Sequence, residues 1–212
     1  MQKIDDVKET CGRGKKRGGI CDAYYNFGYR FAYTPDGKVG EYKYADLPHV
    51  GKEEREALIK EVRDSIGSFV DDLERFAKPL FLQLSGEILS QIHKVRTVIN
   101  LPSVGKEKEI GIATQFSIGL NYWSPIHTDD DFFYTILSCL CSSDEDEDKI
   151  LYYFYFPDYG IKVPLRSGDI IVFNPLIRHC CSDPCLPGAY IFSAYVSEKT
   201  VNYQAKDVLN AK

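Results

Sequence analysis

From residue 110 to residue 198 the chain is a series of short β-branched and aromatic runs, each closed by Gly, Pro, Asp or Ser. No stretch between them is long enough for a crossover helix, so a parallel βαβ sheet is excluded and an antiparallel sandwich or barrel is required. Strands are predicted near 111–118, 121–127, 132–141, 150–156, 161–165, 169–174, 179–182 and 189–198. The preceding segment has a different period. "KEEREALIKEVRDSIGSFVDDLERFA" places Leu58, Ile59, Val62, Ile66, Phe69, Val70, Leu73 and Phe76 at spacings of three and four, the stripe of an amphipathic helix, and Pro79 breaks or kinks it. "LFLQLSGEILSQIHKVRTVIN" reads as a second helix before a loop through "LPSVGKEKE". Residues 22–48 alternate aromatic and polar types around the turn "TPDGKVG", which suggests a hairpin. The expected layout is α+β and a single domain over 1–212. It has an N-terminal arm and hairpin in 1–50, buttressing helices in 52–100 and a β-barrel or jelly-roll core of about eight strands in 111–198.

Composition narrows the class. With 212 residues, 44% of them apolar and 27% charged, the chain reads as a globular domain with a real core. No apolar run approaches the length that spans a bilayer, and "MQKIDDVKET" is too polar for a signal peptide, so an intracellular protein of cytoplasm or nucleus, with no membrane partner, is expected. Seven cysteines without a scaffold rhythm are expected to be thiols. A formal charge of −5 argues against a surface that is basic throughout. One basic tract, "CGRGKKRGG", offers Arg13, Lys15, Lys16 and Arg17 either as a solvated arm or as contacts to nucleic-acid phosphates. The acidic string "SSDEDEDK" at 142–149 reads as a solvated loop, without the spacing of a calcium site.

Chemistry concentrates in two stretches. In "SPIHTDDDFF", strand alternation points His127 and Asp129 the same way with Cα atoms roughly 7 Å apart, close enough for a ring nitrogen and a carboxylate oxygen to meet on one ion. Asp130 faces the opposite side, and Asp131 shares the parity of Asp129. In "SGDIIVFNPLIRHCCS", Gly168-Asp169 turns into an apolar strand, a loop runs through Asn174-Pro175, and His179 begins the next strand. A His-x-Asp at the end of an early strand, then Gly-Asp, an apolar strand ending in Phe and a second His resembles the double-stranded β-helix Fe(II) dioxygenases of the 2-oxoglutarate oxygenase type. The resemblance covers 111–198. It implies Fe(II) held by His127, Asp129 and His179 as catalytic and metal residues, with coordination positions left open for a cosubstrate and O2. Asp131, Tyr134 and Asn174 then stand as supporting or substrate-contacting groups.

The chain departs from that family in one respect. "PGAYIFSAYVSEK", where an Arg or Lys would pair with the far carboxylate of 2-oxoglutarate, has no cation before Lys199, and "FFYTILSCLC" supplies none either. Arg178, Arg166 or Lys162 can be drawn into the pocket, the cosubstrate can be a different reductant, or turnover can be lost. The forms of "YWSPIHTDDDFF", "YYFYFPDYG" and "RSGDIIVFNPLIRHC" are similar to those of a small group of algal relatives of the methylcytosine dioxygenases, and that likeness implies ascorbate as cosubstrate and 5-methylcytosine in DNA as substrate. Tyr122, Thr135, Arg178, Tyr190 and Ser193 are the candidate cosubstrate contacts. Tyr122, Trp123, Phe132 and Tyr134 could stack on a flipped base. The alternatives are a hydroxylase of protein or small molecules, and a non-catalytic jelly-roll binding module. A zinc site from Cys139, Cys141, Cys180, Cys181 and Cys185 competes for the metal role, without the spacing of a zinc knuckle.

Overall fold

Ten strands and one long helix form among residues 21–31, 39–41, 52–82, 103–106, 113–132, 134–143, 148–198 and 201, which a computed structural model describes. In chain order these are β1 (Ala23–Phe31), β2 (Val39–Glu41), α1 (Lys52–Leu82), β3 (Gln115–Leu120), β4 (Ser124–His127), β5 (Thr135–Cys141), β6 (Ile150–Phe156), β7 (Ile161–Arg166), β8 (Ile170–Phe173), β9 (His179–Cys181) and β10 (Ala189–Tyr195). A 3-10 turn, Pro157–Tyr159, joins β6 to β7. The strands make a six-stranded sheet in the order β2-β1-β3-β10-β5-β8 and a four-stranded sheet in the order β4-β9-β6-β7. This is the two-sheet jelly-roll layout that the spacing of the runs demands. All eight strands expected after residue 110 form, and β1 pairs with β2 antiparallel through Arg30 and Gly40. The first residues of the expected second helix, 80–82, instead end α1, and its remainder and the basic tract at 13–17 lie outside the described residues.

The chain divides into two compact units, one taking in Ile118–Asp130 and Leu137–Ser193, the other Tyr25–Ser117, Asp131–Ile136 and Ala194–Lys212. In the first, Leu137 and Cys139 of β5, Phe173 of β8 and Ala189 and Ile191 of β10 share a core with Leu151, Tyr152 and Phe154 of β6, Leu165 of β7 and Cys181 of β9. The register of β6 against β7 shifts between Ile150 and Tyr152, a bulge that lets consecutive residues Leu151 and Tyr152 both turn inward. Beyond it the alternation is regular. Phe154 and Phe156 enter this core, while Tyr153 and Tyr155 gather with Cys180 in a separate cluster, and the Lys162 ammonium sits 3.7 Å from the Tyr153 ring centroid. The buried Tyr152 hydroxyl donates to the Ala189 carbonyl at 2.8 Å.

In the second unit α1 runs through Pro79 to Leu82, so the break expected there does not occur. Pro79 falls in the last turn, where only one backbone bond is forfeited. The stripe is also less apolar than its spacing suggests, because Phe76 is 69% exposed while Asp71 and Glu74 are buried. The two carboxylates answer backbone donors outside the helix: Glu74 accepts the Ala113 amide at 2.6 Å and Asp71 the Lys106 amide at 2.9 Å. Phe69 meets Phe116 of β3 edge to face at 5.8 Å. In β1, Gly28 has φ of +105° and its Cα lies against the Thr114 carbonyl, where a side chain has no room. No described helix is long and apolar enough to cross a membrane. Of the cysteines expected as thiols, Cys180 is instead disulfide-bonded.

Leu151 is fully buried, and Leu151→Ala is expected to lower the free energy of unfolding by about 2–5 kcal/mol, read from the midpoint and slope of urea denaturation.

Candidate metal centre

His127 ends β4, Asp129 follows two residues later and His179 opens β9. The two histidines are cross-strand partners, and their rings lie 4.4 Å apart between centroids. The register between β4 and β9 shifts between Ser124 and His127, so the four residues Ser124 to His127 stand against the three residues His179 to Cys181. Without that extra residue Ser124 and His127, three apart, would face opposite sides. With it they face the same side as Cys181 and His179. The Ser124 hydroxyl accepts the Cys181 amide at 3.0 Å and closes the ladder at the irregularity.

Each imidazole is held in the same way. His127 Nδ1 lies 2.7 Å from the Pro125 carbonyl and His179 Nδ1 lies 2.8 Å from the Ile177 carbonyl. A carbonyl only accepts, so both Nδ1 atoms carry the proton and both Nε2 atoms present a lone pair. Those lone pairs point at one carboxylate: His127 Nε2 is 3.5 Å from Asp129 Oδ1, and His179 Nε2 is 3.2 Å from Asp129 Oδ2. Three acceptors so close repel one another unless a cation, a proton or a metal ion, stands among them. The one-per-residue donor atoms all lie within 4.8 Å of one another. Adjacent ligands of an ion with bonds of about 2.1 Å are separated by about 3 Å, so the set fits a divalent metal.

Asp129 is held from two sides. Its amide donates to the Pro175 carbonyl at 3.0 Å. Partial burial works against its charged form, but a proton held between His179 Nε2 and the carboxylate, in the place a metal ion would take, and positive charge on the two imidazoles outweigh it and keep the carboxyl below the usual range, so it is a carboxylate at neutral pH. Phe154 stacks on His179 at 5.4 Å and Phe173 meets it edge on at 4.8 Å, which leaves His179 almost fully buried. Cysteine does not compete. Burial pushes the Cys139 thiol up to about 12 and raises Cys181 as well, and Cys139 and Cys141 spend their S–H groups on the carbonyls of Arg166 and Ser143.

No protein-family model and no curated protein matches the sequence. Among solved structures the chain is similar to NgTET1 in complex with 5mC DNA, with a TM-score of 0.54 over 99% of this chain and 76% of that one at 11% identity. The likeness is one of fold, a jelly-roll double-stranded β-helix. Two partial likenesses each cover 44% of this chain: a cupin 2 conserved barrel domain protein from Salinispora arenicola, with 71% of that chain, 16% identity and a TM-score of 0.33, and a prolyl hydroxylase from Trichoplax adhaerens, with 50%, 14% and 0.28.

On this double-stranded β-helix the other candidate residues separate. Arg178 precedes His179, so it takes the opposite side of the strand, and its guanidinium is 60% exposed and grips both oxygens of Asp158, with Nε to Oδ2 at 2.9 Å and Nη2 to Oδ1. Arg166 is exposed, and Lys162 lies over the Tyr153 ring. Tyr190 and Ser193 lie on opposite faces of β10. Ser193 shares the parity of the core residues Ala189 and Ile191, whereas Tyr190 stacks with Phe192 at 6.3 Å, so the two cannot contact one small molecule from the same face. Tyr122 packs against the core of the metal-bearing unit and stacks on Tyr24 at 5.6 Å. Burial, with Tyr24 beside it, raises its phenol above the ordinary value against the lowering effect of the Ser124 hydrogen bond, and Asp129 is near enough to contribute. Trp123 is buried, Tyr134 and Phe132 are half-buried, and Asp130 is exposed. In the second unit Thr135 donates to Asp131 at 3.0 Å, and Asp131 bridges Ser197 through its backbone. Asn174 Oδ1 accepts the Leu176 amide at 3.0 Å.

The Pro125, Pro175 and Ile177 carbonyls that orient the triad are absent from the residues singled out by sequence. A residue's type does not mark its carbonyl, although Asn174-Pro175 does mark the turn.

Single replacement of His127, Asp129 or His179 by Ala is expected to abolish Co(II) binding in an absorption titration of the metal-free protein, whereas Asp130→Ala leaves the titration unchanged.

Proposed function

We propose that this protein is an Fe(II)-dependent oxygenase whose metal is held by His127, Asp129 and His179. The observation that carries the reading is the pair of Nδ1-protonated imidazoles aimed, with one carboxylate, at a common point. Two neutral nitrogens and a single negative charge suit Fe(II) and leave it net positive, attractive to an anionic cosubstrate. When bound, the metal supplies O2 activation for attack on a substrate C–H bond, with two electrons drawn from the cosubstrate. The chain's own part is positional. Pro125 and Ile177 fix the imidazoles, and Phe154 and Phe173 exclude water from the His179 side.

Of 2-oxoglutarate and ascorbate, the second is favoured by the placement of Lys162, Arg166 and Arg178, the described cations on β7 and in the turn before β9. Two of them are engaged, Lys162 on Tyr153 and Arg178 on Asp158, and Arg166 is exposed. A hydroxyl-rich cosubstrate is served by neutral donors such as Tyr122 and Ser193 instead. For the substrate, the whole-chain likeness to a protein solved with 5mC DNA supports 5-methylcytosine in DNA. The basic residues Arg13, Lys15, Lys16 and Arg17 supply charge for phosphates.

Anaerobic reconstitution with Fe(II), followed by air, ascorbate and DNA containing 5-methylcytosine, is expected to consume the modified base, read by mass spectrometry of the nucleosides. The Asp129→Ala protein should leave it intact. Succinate released in step with turnover would make 2-oxoglutarate the cosubstrate. Ligand binding indifferent to iron and to Asp129→Ala would make the protein a non-catalytic binding module.

A further inference from the structure

The four residues Asn174, Pro175, Leu176 and Ile177 touch the metal centre at two points, one just beyond the end of β4 and one at the start of β9. The Pro175 carbonyl accepts the Asp129 amide at 3.0 Å, and the Ile177 carbonyl accepts the His179 Nδ1–H at 2.8 Å. These two carbonyls keep their directions only while the turn keeps its shape. Three features hold that shape. The Asn174 carbonyl accepts the Ile177 amide at 3.1 Å, closing a β-turn with Asn in its first position and Pro in its second, where each is favoured. Pro175 fixes its own φ and is fully buried. Asn174 Oδ1 accepts the Leu176 amide at 3.0 Å and so repeats the turn bond with a side chain. His127 is independent of all this, because its carbonyl partner, Pro125, belongs to β4 itself.

We propose that Asn174 is a positioning residue of the metal centre, and that its side-chain oxygen sets the turn that orients His179 and Asp129 together while leaving His127 untouched. This rests on the reading of His127, Asp129 and His179 as metal ligands. Asn174 touches none of them and acts through two carbonyls. Loss of the Oδ1 acceptor therefore loosens one side of the triad only. Outer partners of this kind shift metal affinity by about 10–100-fold.

The test compares Asn174→Leu, nearly the same size without an acceptor, with Asn174→Asp, which retains one. In the metal-free protein, proton NMR of the imidazole Nδ1–H resonances and hydrogen exchange of the Asp129 amide read the turn directly. Asn174→Leu is expected to lose or broaden the His179 Nδ1–H signal and to speed Asp129 exchange, with the His127 signal unchanged. Co(II) affinity should fall about tenfold with an altered ligand-field spectrum, and Asn174→Asp should restore the parent behaviour in each readout. The proposal is overturned if Asn174→Leu keeps the His179 signal and the parent spectrum, if both histidine signals weaken equally, or if Asn174→Asp is as damaging as Asn174→Leu. Failure of the parent protein to bind Co(II) would defeat the metal reading instead, and the NMR and exchange comparison would still decide whether Asn174 orients the two side chains.

Discussion

Two imidazoles and a carboxylate aimed at one point are mutually repulsive, and the surrounding structure is arranged to hold them there. The cost is met by hydrogen bonds that fix the two rings and the backbone that carries the carboxylate. Each Nδ1–H is committed to a carbonyl, and the backbone amide of Asp129 is committed to a third. Aromatic rings from β6 and β8 close over His179, so rotation of that ring would also break packing. The two-sheet architecture serves this end. Pairing of β4 with β9 sets the histidines opposite one another, and pairing of β9 with β6 brings the phenylalanine wall behind them.

Much of this was legible from residue types and spacing. Strand boundaries follow from short apolar runs and their punctuation, and the convergence of His127 with Asp129 follows from alternation, whereas His179, some fifty residues away, joins them only through the resemblance to the double-stranded β-helix dioxygenases. The same parity rule also separates Tyr190 from Ser193, three residues apart on one strand, although the sequence offers both as contacts to one cosubstrate. The pairing of Arg178 with Asp158 spans twenty residues, and no local pattern reports which of many acidic groups a guanidinium will choose. Irregularities were hidden as well. The shift between Ser124 and His127 depends on which strand lies beside β4, and the inward turn of both Leu151 and Tyr152 depends on β7.

The helix illustrates the opposite error. Its three-and-four spacing promised an unbroken apolar stripe, but Asp71 and Glu74 occupy buried positions and Phe76 does not. Periodicity counts apolar residues. It is blind to a backbone amide elsewhere, such as Ala113 or Lys106, that needs an acceptor more than the helix needs another hydrocarbon contact. Pro79 is read too pessimistically for a related reason, since a proline near a helix end breaks little.

The bulge in β4 gives the aspartate run a meaning of its own. Loss of one residue there would exchange the faces of everything downstream, yet it would carry Asp130 to the place that Asp129 holds, so the carboxylate has an understudy on the next residue. The imidazole has none, because Ile126 and Thr128 flank His127 and Arg178 and Cys180 flank His179. A slip that supplies Asp130 would thus put Thr128 where His127 stands, and the bulge is fixed by the nitrogen rather than by the charge.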